Sequence, residues 1–143
     1  MFYNGSSWQK IESGTQYPIT DVWGLTNLGL VSKVIAVADP PGPGESTIFS
    51  LISGNAIDTL DLPGERIGSI WTYGMKTYAG GIKTWESTNN IWKQIIDQGR
   101  EIKGTSYNNI IAASPSIVMH FNGIRWQNII QWPVNLTFNA VAV

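Results

Sequence analysis

The sequence predicts an all-β fold assembled from repeated four-stranded antiparallel units, and three observations carry that prediction. A phrase recurs along the chain. Near the start it reads Tyr3-Asn4-Gly5-Ser6-Ser7-Trp8-Gln9-Lys10-Ile11, and near the end Phe121-Asn122-Gly123-Ile124-Arg125-Trp126-Gln127-Asn128-Ile129. Composition agrees, with 43% hydrophobic residues, 13% charged residues, 15 Gly and seven Trp in 143 residues. That profile suits a turn-rich β domain and not a disordered chain, which needs low hydrophobicity and high net charge. Helix signals are nearly absent. The best stretch, Ile91 to Ile102, contains Gly99 and reads better as a strand followed by a turn.

Two weaker copies of the phrase lie between the clear ones. Ile52-Ser53-Gly54-Asn55-Ala56-Ile57-Asp58-Thr59-Leu60 places Ile57 where Trp stands, and Thr88-Asn89-Asn90-Ile91-Trp92 replaces Asn-Gly by Asn-Asn. The repeat anchors are therefore Trp8, Ile57, Trp92 and Trp126, spaced 49, 35 and 34 residues apart. The long first interval holds Asp39-Pro40-Pro41-Gly42-Pro43-Gly44-Glu45, which reads as a loop insertion. Without it the period approaches the roughly 40 residues of a four-stranded propeller blade. The expected architecture is a β-propeller or a propeller fragment.

Each element has a local reason. Val34-Ile35-Ala36-Val37-Ala38 is a short run rich in β-branched residues, as expected for a strand covered on both faces. Ile48 to Ile52 and Ile57 to Leu62 flank Ser53-Gly54-Asn55-Ala56, a turn whose Gly and Asn tolerate positive φ. Asn4-Gly5 and Asn122-Gly123 supply the same freedom. Two further strands precede each hairpin: Ile19 to Gly24 with Lys33 to Ala38, Ile67 to Trp71 with Lys76 to Ile82, and Glu101 to Gly104 with Asn109 to Ala113. Small residues gather in the second strand of each unit, at Ala36 and Ala38, at Ala79, Gly80 and Gly81, and at Ala112 and Ala113, where they permit close approach of neighbouring sheets. The chain forms one domain. Its units run from 1 to 14 (partial), 15 to 64, 65 to 98, 99 to 131 and 132 to 143 (partial). Three full blades would be joined by one shared between the two ends.

A net charge of −1 with nine scattered Lys and Arg argues against a nucleic-acid footprint, which concentrates basic residues. It equally argues against a polybasic membrane patch. No apolar run approaches the ~20 residues of a membrane-spanning helix, and no signal-peptide pattern opens the sequence. The chain has no cysteine, which removes disulfides, thiolate nucleophiles and cysteine metal sites.

The chemistry-bearing residues mostly read as structural. Trp8, Trp92 and Trp126 share one repeat position, so packing between adjacent sheets explains them better than stacking on sugars. Trp23 and Trp71 also occupy equivalent places. Trp85 and Trp132 break the pattern and are the ligand-contact candidates. His120 is the single histidine, and nothing beside it supplies a nucleophile and an orienting acid or the several ligands of a metal site. Asp58, Asp61 and Glu65 lie close in sequence, as a glycosidase carboxylate pair would, but read as turn charges. Gly42-Pro43-Gly44-Glu45-Ser46-Thr47 lacks the lysine of a phosphate loop, and its proline removes a backbone donor. Asn4-Gly5-Ser6 and Asn135-Leu136-Thr137 match the glycosylation triplet. No cofactor is expected.

The phrase His120-Phe121-Asn122-Gly123-Ile124-Arg125-Trp126, preceded by Asn108-Asn109-Ile110-Ile111-Ala112-Ala113, resembles the blades of secreted bacterial β-propellers of poorly characterised function, and Ile19-Thr20-Asp21-Val22-Trp23-Gly24 resembles their first strand. The kelch and WD signatures are missing. The chain differs from that pattern in being short and in stopping in mid-blade. The resemblance implies a secreted or cell-surface protein. The expected function is a non-catalytic binding or scaffold module whose ligand is a carbohydrate or a protein. One alternative is self-assembly, a homodimer completing the ring by pairing open strand edges. Another is a glycosidase-like enzyme working in the central channel.

Overall fold

The computed structural model describes residues 1–3, 5–10, 12–13, 15–27, 30–39, 47–52, 55–61, 66–89 and 91–131. All its regular structure is strand. A two-stranded sheet opens the chain, β1 (Phe2–Tyr3) with β2 (Trp8–Gln9). Three four-stranded antiparallel meanders follow. The first is β3 (Ile19–Asn27), β4 (Leu30–Ala38), β5 (Thr47–Ile52) and β6 (Asn55–Asp61). The second is β7 (Ile67–Tyr73), β8 (Lys76–Gly81), β9 (Thr84–Thr88) and β10 (Ile91–Ile96). The third is β11 (Glu101–Ser106), β12 (Asn109–Ala113), β13 (Ile117–Phe121) and β14 (Trp126–Gln131).

The hairpins are tight because their turn residues allow it. Gly5 and Gly123 hold φ of 96° and 91°, the left-handed region that the Asn-Gly phrase anticipates. In the second sheet Asn89 takes that role at φ 53°. Its turn is two residues shorter, so Trp92 lies opposite Ser87, whereas Trp8 lies opposite Tyr3 and Trp126 opposite Phe121. The turn between β5 and β6 is also shorter than expected: Asn55 and Ala56 already pair with Ile52 and Leu51. The hairpin of β3 and β4 is longer than expected and extends the ladder to Asn27 and Leu30. The segments 40–46 and 132–143, and with them the insertion and Trp132, lie outside the described residues.

The register places equivalent residues of the three sheets at common levels. Asp21, Ser69 and Glu101 stand opposite Val37, Gly80 and Ala113; Val22, Ile70 and Ile102 stand opposite Ala36, Ala79 and Ala112; Trp23, Trp71 and Lys103 follow. The sheets pack through their first strands, β3 on β7 and β7 on β11. Ile35 and Val37 of the first sheet meet Ile67, Ile70 and Ala79 of the second, with Trp23, Trp85 and Trp92 at the margins. Trp71 and Tyr78 of the second meet Ile102 and Ile110 of the third, flanked by Phe121 and Trp126. Gly104 makes room for this contact, since a Cβ there would sit 2.8 Å from the Trp71 ring. Gly80 likewise admits the carbonyls of Gly99 and Arg100, each 2.8 Å from where its Cβ would be.

A repeated hydrogen bond ties one sheet to the next. The Ile70 backbone N–H donates to the Asp21 carboxylate at 2.7 Å. One sheet later, the Ile102 N–H donates to the Ser69 hydroxyl at 3.2 Å. The side chain at one level thus accepts from the backbone of the following sheet, one level on. Val22, the first member of the apolar level, is 54% exposed, whereas Ile70 and Ile102 are fully buried.

Candidate functional site: the groove at the start of the inner strands

The shared register brings the beginnings of β3, β7 and β11 to one place. Thr20 and Gly68 are the extra residues of bulges in β3 and β7, between Ile19 and Asp21 and between Ile67 and Ser69. Arg100 stands at the matching position before Glu101 in the third sheet. A bulge bends its strand and re-aims the residue it releases from the ladder. Together these three residues line a groove of about 560 Å³, walled by Asp39, Arg66 and Glu101. All three sheets contribute to it.

Its charges are arranged in pairs. The Arg66 Nε donates to both Asp39 carboxylate oxygens, at 3.1 and 3.3 Å, and Nη2 joins the same carboxylate. The hydrogen bond and charge of Asp39 hold Arg66 protonated more firmly than usual. Arg100 is exposed at the mouth. Burial pushes the Glu101 carboxyl above its usual range. The charges of Lys103 and Arg100 draw it back, and that of Asp21 pushes it further up. Behind the groove, the Lys103 ammonium donates to Asp21 at 2.7 Å and to the Ile70 carbonyl at 3.0 Å, 5.5 Å from the centre of the Trp23 ring. The groove offers a planar guanidinium donor beside a half-buried carboxyl acceptor on a rigid floor. That combination binds groups carrying both a carboxylate and hydrogen-bond donors.

The residues singled out by sequence are dispersed. Trp92 and Trp126 are partly buried, one against the core between the first and second sheets, the other against that between the second and third. Trp8 differs: it is 67% exposed and lies tilted against Tyr3, ring centres 5.3 Å apart. The pair Phe121 and Trp126 shows the same 5.3 Å spacing but has the second sheet behind it. Ile57 lies in β6 at a bulge, between Ala56 and Asp58. Trp85 pairs with Ala79 and is partly buried against the core between the first and second sheets, its indole nitrogen buried and the Lys83 ammonium 5.9 Å from its ring centre. The register decides this, because Ala79 faces the first sheet and carries Trp85 with it. Trp132 and Glu65 lie outside the described residues. Asp58 and Asp61 fall in β6, opposite Ser50 and Thr47. His120 shares a hydrogen bond of 2.8 Å with Asn109. Among the described residues no group of three or more His, Asp or Glu could hold a metal, and no helix is long and apolar enough to cross a membrane.

Sequence reading missed the groove because its residues are isolated in the chain. No local signal marks it, since the bulges at Thr20 and Gly68 exist only through the register with the neighbouring strands. No protein-family model, curated protein or solved structure matches this chain.

Proposed function

We propose that this chain is a non-catalytic binding module of β-propeller type, with its ligand in the groove at the start of the inner strands. In this reading the ring is completed by a blade shared between the two ends, residues 1–14 and 132–143. The observation that carries it is the convergence of Thr20, Gly68 and Arg100 from three equivalent strands on one mouth, held by the links from Asp21 to Ile70 and from Ser69 to Ile102. Pre-formed concave sites with few fixed polar groups are the usual form of ligand pockets. The ligand class is a carboxylate-bearing carbohydrate or a protein segment of the same chemistry, gripped by Arg100 and hydrogen-bonded to Glu101. An array of acidic and neutral glycans, paired with a panel of acidic peptides, tests it. Binding to acidic members that Arg100→Ala weakens by about tenfold, equal to 1.4 kcal/mol, supports the reading. An array without a binder, or one whose binders ignore Arg100, sinks it.

A second reading is that a partner copy completes the ring. The exposure of Val22 at a level buried in the next two sheets favours it. Light scattering separates the two: a single-chain mass fits closure by the chain's own ends, and a two-chain mass fits assembly.

A further inference from the structure

We propose that the cleft between the outer strands of the second and third sheets is a separate site for one neutral pyranose unit. Its volume is about 280 Å³, below the range of roughly 300–1,000 Å³ that suits drug-sized ligands, so it accommodates one ring and not an extended molecule. One wall is aromatic. Phe121 and Trp126 lie opposite each other on β13 and β14, ring centres 5.3 Å apart and planes inclined by 36°. Both are only partly buried and line the cleft.

The facing wall is a polar row running across the second sheet. Tyr78 of β8 pairs with Glu86 of β9, and Glu86 pairs with Lys93 of β10. All three side chains line the cleft. Glu86 is held by the Lys76 ammonium, which donates to it at 2.9 Å, and it neighbours the buried Tyr78, whose hydroxyl pKa burial and the charge of Glu86 raise. A carboxylate offers about four lone-pair positions, so Glu86 keeps capacity for a ligand donor. Lys93 is exposed at the rim and offers donors.

The chemistry of the two walls selects the class. Sugar hydroxyls both donate and accept, so one ring satisfies Glu86 and Lys93 together. Glu86 and Lys93 have opposite charges, so neither sign of ligand charge is favoured by both. The apolar face of a pyranose covers an aromatic surface without leaving an unpaired polar group behind. This site shares no lining residue with the groove of the preceding section, so either can fail alone.

The test is a titration of the ¹⁵N-labelled chain with methyl glucoside, methyl galactoside and methyl mannoside, followed by amide shifts and tryptophan fluorescence. Expected are saturable shifts at Tyr78, Lys93 and Trp126, with weakening of about tenfold, equal to 1.4 kcal/mol, in Trp126→Ala and in Lys93→Met. Lys93 is exposed, so that second variant keeps the fold if Trp126→Ala does not. Shifts confined to Thr20, Gly68 and Arg100 overturn the proposal while supporting the other groove. Absence of saturable shifts with all three glycosides, or saturable binding unchanged in Lys93→Met, also overturns it.

Discussion

The Lys103 ammonium lies 2.7 Å from an Asp21 carboxylate oxygen, although 82 residues separate them in the chain. Their side chains are only 18% and 21% exposed. This pair joins the first strands of the first and third sheets, and both partners also hold the backbone of Ile70 in the second. Lys103 occupies the level that Trp fills in the other two sheets. The third inner strand thereby exchanges an aromatic wedge for a charge that reaches across to the first.

Asp21→Ala is expected to destabilise the domain by about 3 kcal/mol, since a largely buried cation and a backbone donor lose their acceptor together. Asp21→Asn should cost less because its amide oxygen still accepts from Ile70. Urea unfolding followed by far-UV circular dichroism gives both numbers; equal losses would show that the bond to Ile70 contributes nothing and that the charge of Asp21 carries the whole effect.

Ser69→Ala should cost about 1–2 kcal/mol. It removes a hydroxyl that accepts from the Ile102 N–H and donates to the Ile102 carbonyl, both at 3.2 Å and both buried. Ser69→Thr retains the hydroxyl and recovers part of the loss in the same melt.

Gly104→Ala is expected to cost about 1–3 kcal/mol through overpacking, the new methyl being driven against Trp71. Gly24→Ala is the matched control: a Cβ there meets nothing within 4 Å. Strand propensity favours Ala over Gly at both positions, so equal stability changes at the two glycines would show that the contact with Trp71 costs nothing.

Stability should carry a pH signature from Glu101. Its folded pKa is raised, chiefly by burial, so the folded state binds the proton more tightly than the unfolded chain. This group's contribution is therefore most favourable below the ordinary glutamate pKa. It declines as pH rises from there through the raised folded value. Glu101→Gln removes the decline, so the variant's stability relative to the natural chain should improve from acid to neutral pH. A constant difference across paired urea melts would show that Glu101 is not perturbed.

How much was legible in the sequence follows from the range of each force. The Asn-Gly turns at Gly5 and Gly123 and the β-branched run from Val34 to Ala38 depend on neighbours a few residues away, and local physics suffices to read them. The four-strand repeat was legible for the same reason, since each meander pairs strands adjacent in the chain. Bulges at Thr20 and Gly68 were not, because an extra residue matters only once its partner strand is in place. Trp85 shows the limit for side chains. Its break from the repeat pattern suggested a surface role, and only the register that sets it beside Ala79 shows that it lies partly buried against the core.

The sequence by itself determined an all-β chain of repeated antiparallel units, because the recurring phrase, β-branched runs and turn chemistry are encoded residue by residue. Only the tertiary structure decided which levels of successive sheets meet, and so which residues share a site. The Asp21–Lys103 pair and the convergence of Thr20, Gly68 and Arg100 arise from side chains reaching between sheets, and separation along the chain carries no record of that distance.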